Sequence, residues 1–260
     1  MINSLRRIFP FLGGRITCFG RTDTGRVRKQ NEDSFCILAD RNIFMVADGM
    51  GGHNAGEVAS AAAIETLARY YSKDALRQIR GNREEIQHFF VKGFHHANQT
   101  VMDMADGNEA HRGMGCTLVV AMIADHTLHV FHVGDSRCYL ADASGMEQIT
   151  ADHSCITEFH LTTSIPNEDG NHEIKLPPRQ AVTRVIGFPF PEDPEYNSRQ
   201  LKPDHRILIC SDGLWSMVGD PEIHRILNSA ESAEQACDIL IRQANENGGR
   251  DNITALAIFC

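Results

Sequence analysis

Six carboxylates in this chain occupy turn or strand-end positions: Glu32, Asp33, Asp48, Asp135, Asp212 and Asp251. Singly, an Asp in a turn caps backbone amides and does nothing more. Gathered at the ends of strands that share one sheet system, such groups repel one another in a partly buried site unless cations neutralise them, so the set implies metal. Asp48 carries the clearest local signal, in Val46-Ala47-Asp48-Gly49-Met50-Gly51-Gly52-His53, where an apolar strand runs into one carboxylate and then into glycines. Bare peptide groups followed by a helix start suit a hard cation and a phosphate held together. All the candidate donors are oxygens, the carboxylates plus the Gly49 carbonyl, and no nearby Cys or His has zinc-like spacing, which favours Mn²⁺ or Mg²⁺. A water shared by two such ions loses a proton readily enough to act as a nucleophile near neutral pH. Arg28, with its forked and permanently charged donors, suits the non-bridging oxygens of a phosphoryl group in an in-line transfer.

The elements that must position these groups follow from apolar periodicity. Ile16 to Arg21 reads as a strand, with Thr22-Asp23-Thr24-Gly25 as the turn that delivers the chain to Arg28. Phe35 to Leu38 and Ile43 to Val46 form two strands joined by Asp40-Arg41-Asn42, a hairpin expected to hold Glu32-Asp33 at one end and Asp48 at the other. Amphipathic helices are expected over about Gly56 to Tyr71 and Arg83 to Ala105, followed by strands over Cys116 to Ile123, Thr127 to Val133 and Arg137 to Leu140. His126, His129 and His132 recur every third residue, but a strand alternates faces every second, so they read as strand and turn residues rather than one ligand set. Residues 151–203 hold seven prolines and no sustained periodicity, a long excursion of the kind used for lids and partner surfaces. Order resumes in a strand over Arg206 to Cys210, helices near Pro221 to Asn228 and Ala233 to Asn245, and a last strand over Ile253 to Phe259.

Composition narrows the partners. A formal charge of −9 argues against nucleic acid, and no apolar run approaches the roughly 20 residues of a membrane span. Eight scattered cysteines without a CxxC pair read as reduced residues of a cytoplasmic protein. No cysteine is followed six residues later by arginine, which excludes a cysteine-nucleophile tyrosine phosphatase. Residues 1–15, with Arg6-Arg7 and a short apolar run, are too short and interrupted for a secretory signal and are expected to form a flexible leader, with a membrane-surface or partner contact as the other reading. Residues 16–260 are expected to form a single domain, and the protein a monomer.

Five stretches then carry a resemblance: Thr22-Asp23-Thr24-Gly25-Arg26-Val27-Arg28 with Asn31-Glu32-Asp33; Val46 to His53; Gly134-Asp135-Ser136-Arg137; Ser211-Asp212-Gly213-Leu214-Trp215; and Gly249-Arg250-Asp251-Asn252-Ile253-Thr254. In order and type they resemble the metal-dependent PPM (PP2C-like) protein serine/threonine phosphatases in their bacterial form. The resemblance implies an α+β fold, a central antiparallel β-sandwich flanked by helices on both sides in α-β-β-α layers. It implies two Mn²⁺ or Mg²⁺ ions and a weaker third. Asp48 would bridge the pair, Gly49 would lend its carbonyl, and Asp212 and Asp251 would hold one ion. Asp33 and Glu32 would hold the other, directly or through water, and Asp135 would hold the third together with Asp212. Arg28 matches the phosphate-binding arginine. The implied reaction is hydrolysis of phosphoserine or phosphothreonine in a protein substrate by water bridging two ions, opposing a bacterial Ser/Thr kinase. The alternatives are a catalytically weak phosphoprotein-binding relative and another metal-dependent phosphoesterase. Two features depart from the family pattern. Met50 follows Asp48-Gly49 where eukaryotic members carry a histidine, leaving His53 as either a general acid or a loop-stabilising residue. Residues 155–183 lack the usual helical, acidic flap sequence.

Overall fold

The computed structural model describes residues 4–11, 14–51, 55–79, 82–154, 182–189 and 192–260, with side chains from residue 16 onward. Continuous apolar runs explain its two-sheet core. In β13 (Ile253–Phe259), Ile253, Ala255 and Ala257 pack outward against helices while Leu256 and Ile258 pack between the sheets. In β4 (Ile43–Ala47), Ile43, Met45 and Ala47 face helices while Phe44 and Val46 face the other sheet. A strand covered on both faces has no solvent side to mark with polar residues, so its alternation disappears.

The first sheet contains β1 (Ser4–Phe11), β2 (Gly14–Asp23), β9 (Arg137–Asp142), β10 (Gly145–Gln148), β12 (Arg206–Cys210) and β13, in the order β1-β2-β13-β12-β9-β10. The second contains β3 (Ser34–Leu38), β4, β7 (Leu118–Ala124), β8 (Thr127–Val133) and β11 (Glu195–Gln200), in the order β11-β8-β7-β4-β3. Every pairing in both sheets is antiparallel. A short ribbon pairs β5 (Gly49–Met50) with β6 (Gly115–Cys116). Helices α1 (Ala55–Tyr70) and α3 (Arg83–Asp106) cover the second sheet, where Phe90 stacks between Tyr71 and Phe131 at 4.4 and 4.9 Å. Helices α5 (Asp220–Ser229) and α6 (Ala233–Glu246) cover the first. The result is the α-β-β-α layering that the resemblance implies, completed by the short helices α2 (Lys73–Gln78) and α4 (Asp212–Trp215).

Three expectations are corrected. Residues 4–11, expected as a flexible leader, form edge strand β1, paired with β2 from Ser4↔Arg21 to Phe11↔Gly14. The outer edge of β2 supplies the backbone partners. The acidic groups flanking the β3–β4 hairpin lie at the same end, because the register pairs Ser34 with Ala47, so Asp33 and Asp48 leave the sheet side by side. Within the 151–203 excursion, Glu195–Gln200 pairs with β8 as β11, and isolated bridges join Ser154 to Val182 and Cys116 to Ile186. Six residues without apolar periodicity give no strand signal; here the backbone edge of β8 decides. Residues 155–181 and 190–191 of that excursion lie outside the described residues.

Candidate active site

Each acidic residue is held by a short, specific arrangement at the strand ends. Thr117 clamps Asp48: the Asp48 amide donates to Thr117 Oγ1 at 3.2 Å, and the Thr117 amide donates back to the Asp48 carbonyl at 2.9 Å. Gly49 follows with no room for a side chain, since a Cβ there would overlap the carbonyl oxygens of Gly56 and Glu32. Asp33 is 1% exposed. Its Oδ2 accepts from Ser211 Oγ at 2.7 Å and Thr254 Oγ1 at 2.6 Å, while its Oδ1 is buried without a protein partner. Asp212 opens α4 directly after Ser211.

Arg28 reaches the same place through a turn. Gly25 adopts φ +80°, and its Cβ position is filled by the Asp251 and Gly249 carbonyl oxygens. Only glycine accepts both the left-handed backbone and that approach. The Arg26 amide then donates to the Gly249 carbonyl at 2.7 Å, and Arg28 Nη2 donates to Asp251 Oδ2 at 2.6 Å. Asn252 ties the acidic segments together: its Oδ1 accepts from the Glu32 amide, and its Nδ2 donates to the carbonyls of Thr24 and Gln30. Asp135 lies across from these groups, its carbonyl accepting from Trp215 Nε1 at 3.0 Å.

These residues enclose a cavity of about 230 Å³ lined by Arg28, Glu32, Asp48, Gly49, Met50, Gly51, Thr117, Asp135, Val182, Asp212 and Asp251. Its electrostatics are those of crowded anions. Burial, then the charges of Asp33, Asp212, Asp135 and Asp251, push the Asp48 carboxyl well above the ordinary range. Burial raises Asp33 to about 7 against the hydrogen bonds from Thr254 and Ser211, and burial with the Asp212 charge raises Asp135 to about 7. Asp212 and Glu32 are raised chiefly by burial as well. Such groups cannot all ionise together without a cation among them. Oxygen-only donors, an orphaned and buried Asp33 Oδ1, and five carboxyls displaced upward fit hard divalent cations.

The protein phosphatase 2C family model matches residues 25–255. The chain belongs to the protein phosphatase 2C family. This protein phosphatase is 36% identical over 244 residues to the serine/threonine phosphatase stp of Listeria innocua, covering 92% of this chain and 93% of that one. It is 32% identical over 240 residues to the protein phosphatase PhpP of Streptococcus pneumoniae, covering 91% and 94%. Among solved structures, the catalytic domain of the serine/threonine protein phosphatase PstP in complex with two manganese ions matches with a TM-score of 0.77 at 31% identity, covering 94% of this chain and 97% of that one.

Of the residues picked out by sequence, Arg28, Glu32, Asp48, Gly49, Asp135, Asp212 and Asp251 line one cavity, and Asp33 is joined to it through Ser211, the residue before Asp212. His53 lies outside the described residues. Sequence reasoning missed the neutral supports Thr117, Ser211, Asn252 and Thr254. Ser211, Asn252 and Thr254 stand within three residues of Asp212 or Asp251, which is a usable signal, whereas Thr117 has none. No helix among the described residues is long and apolar enough to cross a membrane.

Proposed function

We propose that this phosphatase hydrolyses phosphoserine and phosphothreonine in protein substrates, opposing a Ser/Thr kinase, at a binuclear Mn²⁺ or Mg²⁺ centre in the carboxylate cavity. The observation that carries the reading is the meeting of Arg28 with five carboxylates at one cavity of about 230 Å³. Asp48 would serve both ions and Gly49 would lend its carbonyl, Asp212 and Asp251 would hold one ion and Asp33 with Glu32 the other, while Asp135 and Asp212 would form a weaker third position. Bound divalent cations supply Lewis acidity that activates water and offsets phosphoryl charge.

The chain's own groups do the rest. The Arg28 fork, half exposed and oriented by Asp251 at 2.6 Å, binds the non-bridging phosphate oxygens. Thr117 fixes the Asp48 backbone, and Ser211 and Thr254 occupy one Asp33 oxygen so that the other points away from them. In-line attack by water forms the new P–O bond as the bond to the Ser or Thr oxygen breaks, and the leaving oxygen takes a proton. His53 is a candidate donor. The test is phosphate release from a phosphothreonine peptide, with phosphotyrosine peptide as control. Activity should require Mn²⁺ or Mg²⁺ and fall by several orders of magnitude in Asp48→Asn. A fully active Asp48→Asn enzyme, or activity unaffected by chelation, overturns the proposal.

A further inference from the structure

Outside the cavity, the described residues gather His132, His153 and Glu195, whose ligating atoms lie within 4.8 Å of one another. A second metal site is the obvious reading, and the geometry opposes it. The two imidazoles stack face to face, with centroids 4.7 Å apart and planes at 21°, so their in-plane lone pairs run side by side instead of converging. His132 Nε2 also donates to the Ala151 carbonyl at 2.8 Å, and burial lowers the pKa of that ring to about 4, keeping it neutral.

The contacts describe a brace. His153 grips one peptide unit from both sides: its Nδ1 accepts the Gly134 amide at 3.1 Å, and its own amide donates to the Gly134 carbonyl at 3.0 Å. Gly134 immediately precedes Asp135. With Nδ1 accepting, the other ring nitrogen, Nε2, faces Glu195 Oε2 at 3.5 Å. Glu195 belongs to β11, paired opposite His132 of β8, so its carboxylate stands near the Nε2 edges of both stacked rings, 3.9 Å from His132 and 3.5 Å from His153. On its other side His153 sits at the root of the 155–181 segment: its carbonyl accepts from the Thr183 amide at 2.9 Å, and Ser154 bridges to Val182, which lines the active-site cavity. The preceding residue, Asp152, is pinned by Arg137 through bonds of 2.9 and 2.7 Å.

We propose that His153 is a positioning residue that sets the Asp135 carboxylate for its cation. The inference rests on the proposed cation-binding role of Asp135. His153 itself touches neither cation nor substrate. Its ring acceptor fixes the Gly134–Asp135 turn, and removing a group that orients a metal ligand typically weakens metal affinity about 10- to 100-fold.

The discriminating pair is His153→Asn and His153→Gln. Asn carries an oxygen close to the Nδ1 position and can still accept the Gly134 amide; Gln places its amide towards Glu195. Asp135→Asn serves as reference. Calorimetric titration with Mn²⁺ in the absence of substrate, together with the Mn²⁺ dependence of p-nitrophenyl phosphate hydrolysis, reads both sites. We expect Asp135→Asn to lose the weakest binding step. His153→Gln should weaken that step about tenfold or more while leaving the tight steps unchanged, and His153→Asn should stay within about threefold of the parent, because an ordering bond retained keeps most of the effect. Equal behaviour of the two His153 variants, whether both intact or both weakened, overturns the brace. An unchanged titration in Asp135→Asn instead overturns the reading of Asp135 on which it rests.

Discussion

Replacing Asp33 by Asn should make the metal-free protein more stable at pH 8 while weakening binding of the one divalent cation that Asp33 would hold. Burial displaces the Asp33 carboxyl from an ordinary 3.8 to about 7. Below pH 3.8 it is protonated in both the folded and the unfolded chain and has no effect. Between those values the folded state retains a proton that the unfolded chain has released, so stability falls as pH rises, and above about 7 the loss is complete. At about 1.4 kcal/mol per pH unit, that displacement costs the cation-free folded state up to about 4 kcal/mol at pH 8. Asn keeps the shape and an acceptor for Ser211 and Thr254, but it buries an amide, so about half of that should be recovered, or roughly 2 kcal/mol and a Tm higher by about 4–8 °C. Urea unfolding in EDTA at pH 5.5 and 8, on wild type and variant, measures it. The wild type should lose stability between the two pH values more steeply than the variant. Adding Mn²⁺ at pH 8 should stabilise the wild type more than the variant, which keeps only the positions that do not depend on Asp33. Identical pH slopes for the two proteins, or a variant less stable than wild type at pH 8, would refute the argument that Asp33 is held against its charge.

Arg28→Ala should lower kcat/KM on a phosphothreonine peptide about 10- to 100-fold, the worth of a charge-assisted contact to phosphate, while shifting stability by less than about 0.5 kcal/mol because its partner Asp251 is part-exposed; steady-state kinetics and thermal melts separate the two. Gly49→Ala should destabilise the fold by at least about 2 kcal/mol and abolish activity, since the added methyl meets two backbone carbonyls that cannot move independently; expression yield and denaturant midpoints report it. Thr117→Val removes the acceptor of the Asp48 amide at constant shape and should cost about 1–3 kcal/mol of stability. A Thr117→Ser enzyme, which keeps the hydroxyl, should retain most of the wild-type stability in the same unfolding assay.

The long helices were legible because their apolar residues recur at three and four, and α1 and α3 end within a residue of the expected bounds at both termini. The strands carrying Asp48, Asp212 and Asp251 were legible as apolar runs cut off by acidic turns. Strand β11 and the edge strand β1 were not, because backbone pairing recruits them and neither carries an alternating pattern of its own.

The sequence by itself determined which chemistry was available: six carboxylates, an arginine and bare glycines at strand ends, in an order specific enough to identify the family. Motif order survives in a one-dimensional record because each motif is local. Only the tertiary structure decided how those groups behave. Register put Asp33 beside Asp48, and hydroxyls from Ser211 and Thr254, 178 and 221 residues away in sequence, took one Asp33 oxygen and left the other bare. Crowding raised the carboxyl pKa values, and His153 closed on the turn before Asp135. Burial and nonlocal hydrogen bonds set protonation and aim, and neither leaves a periodic trace in the chain.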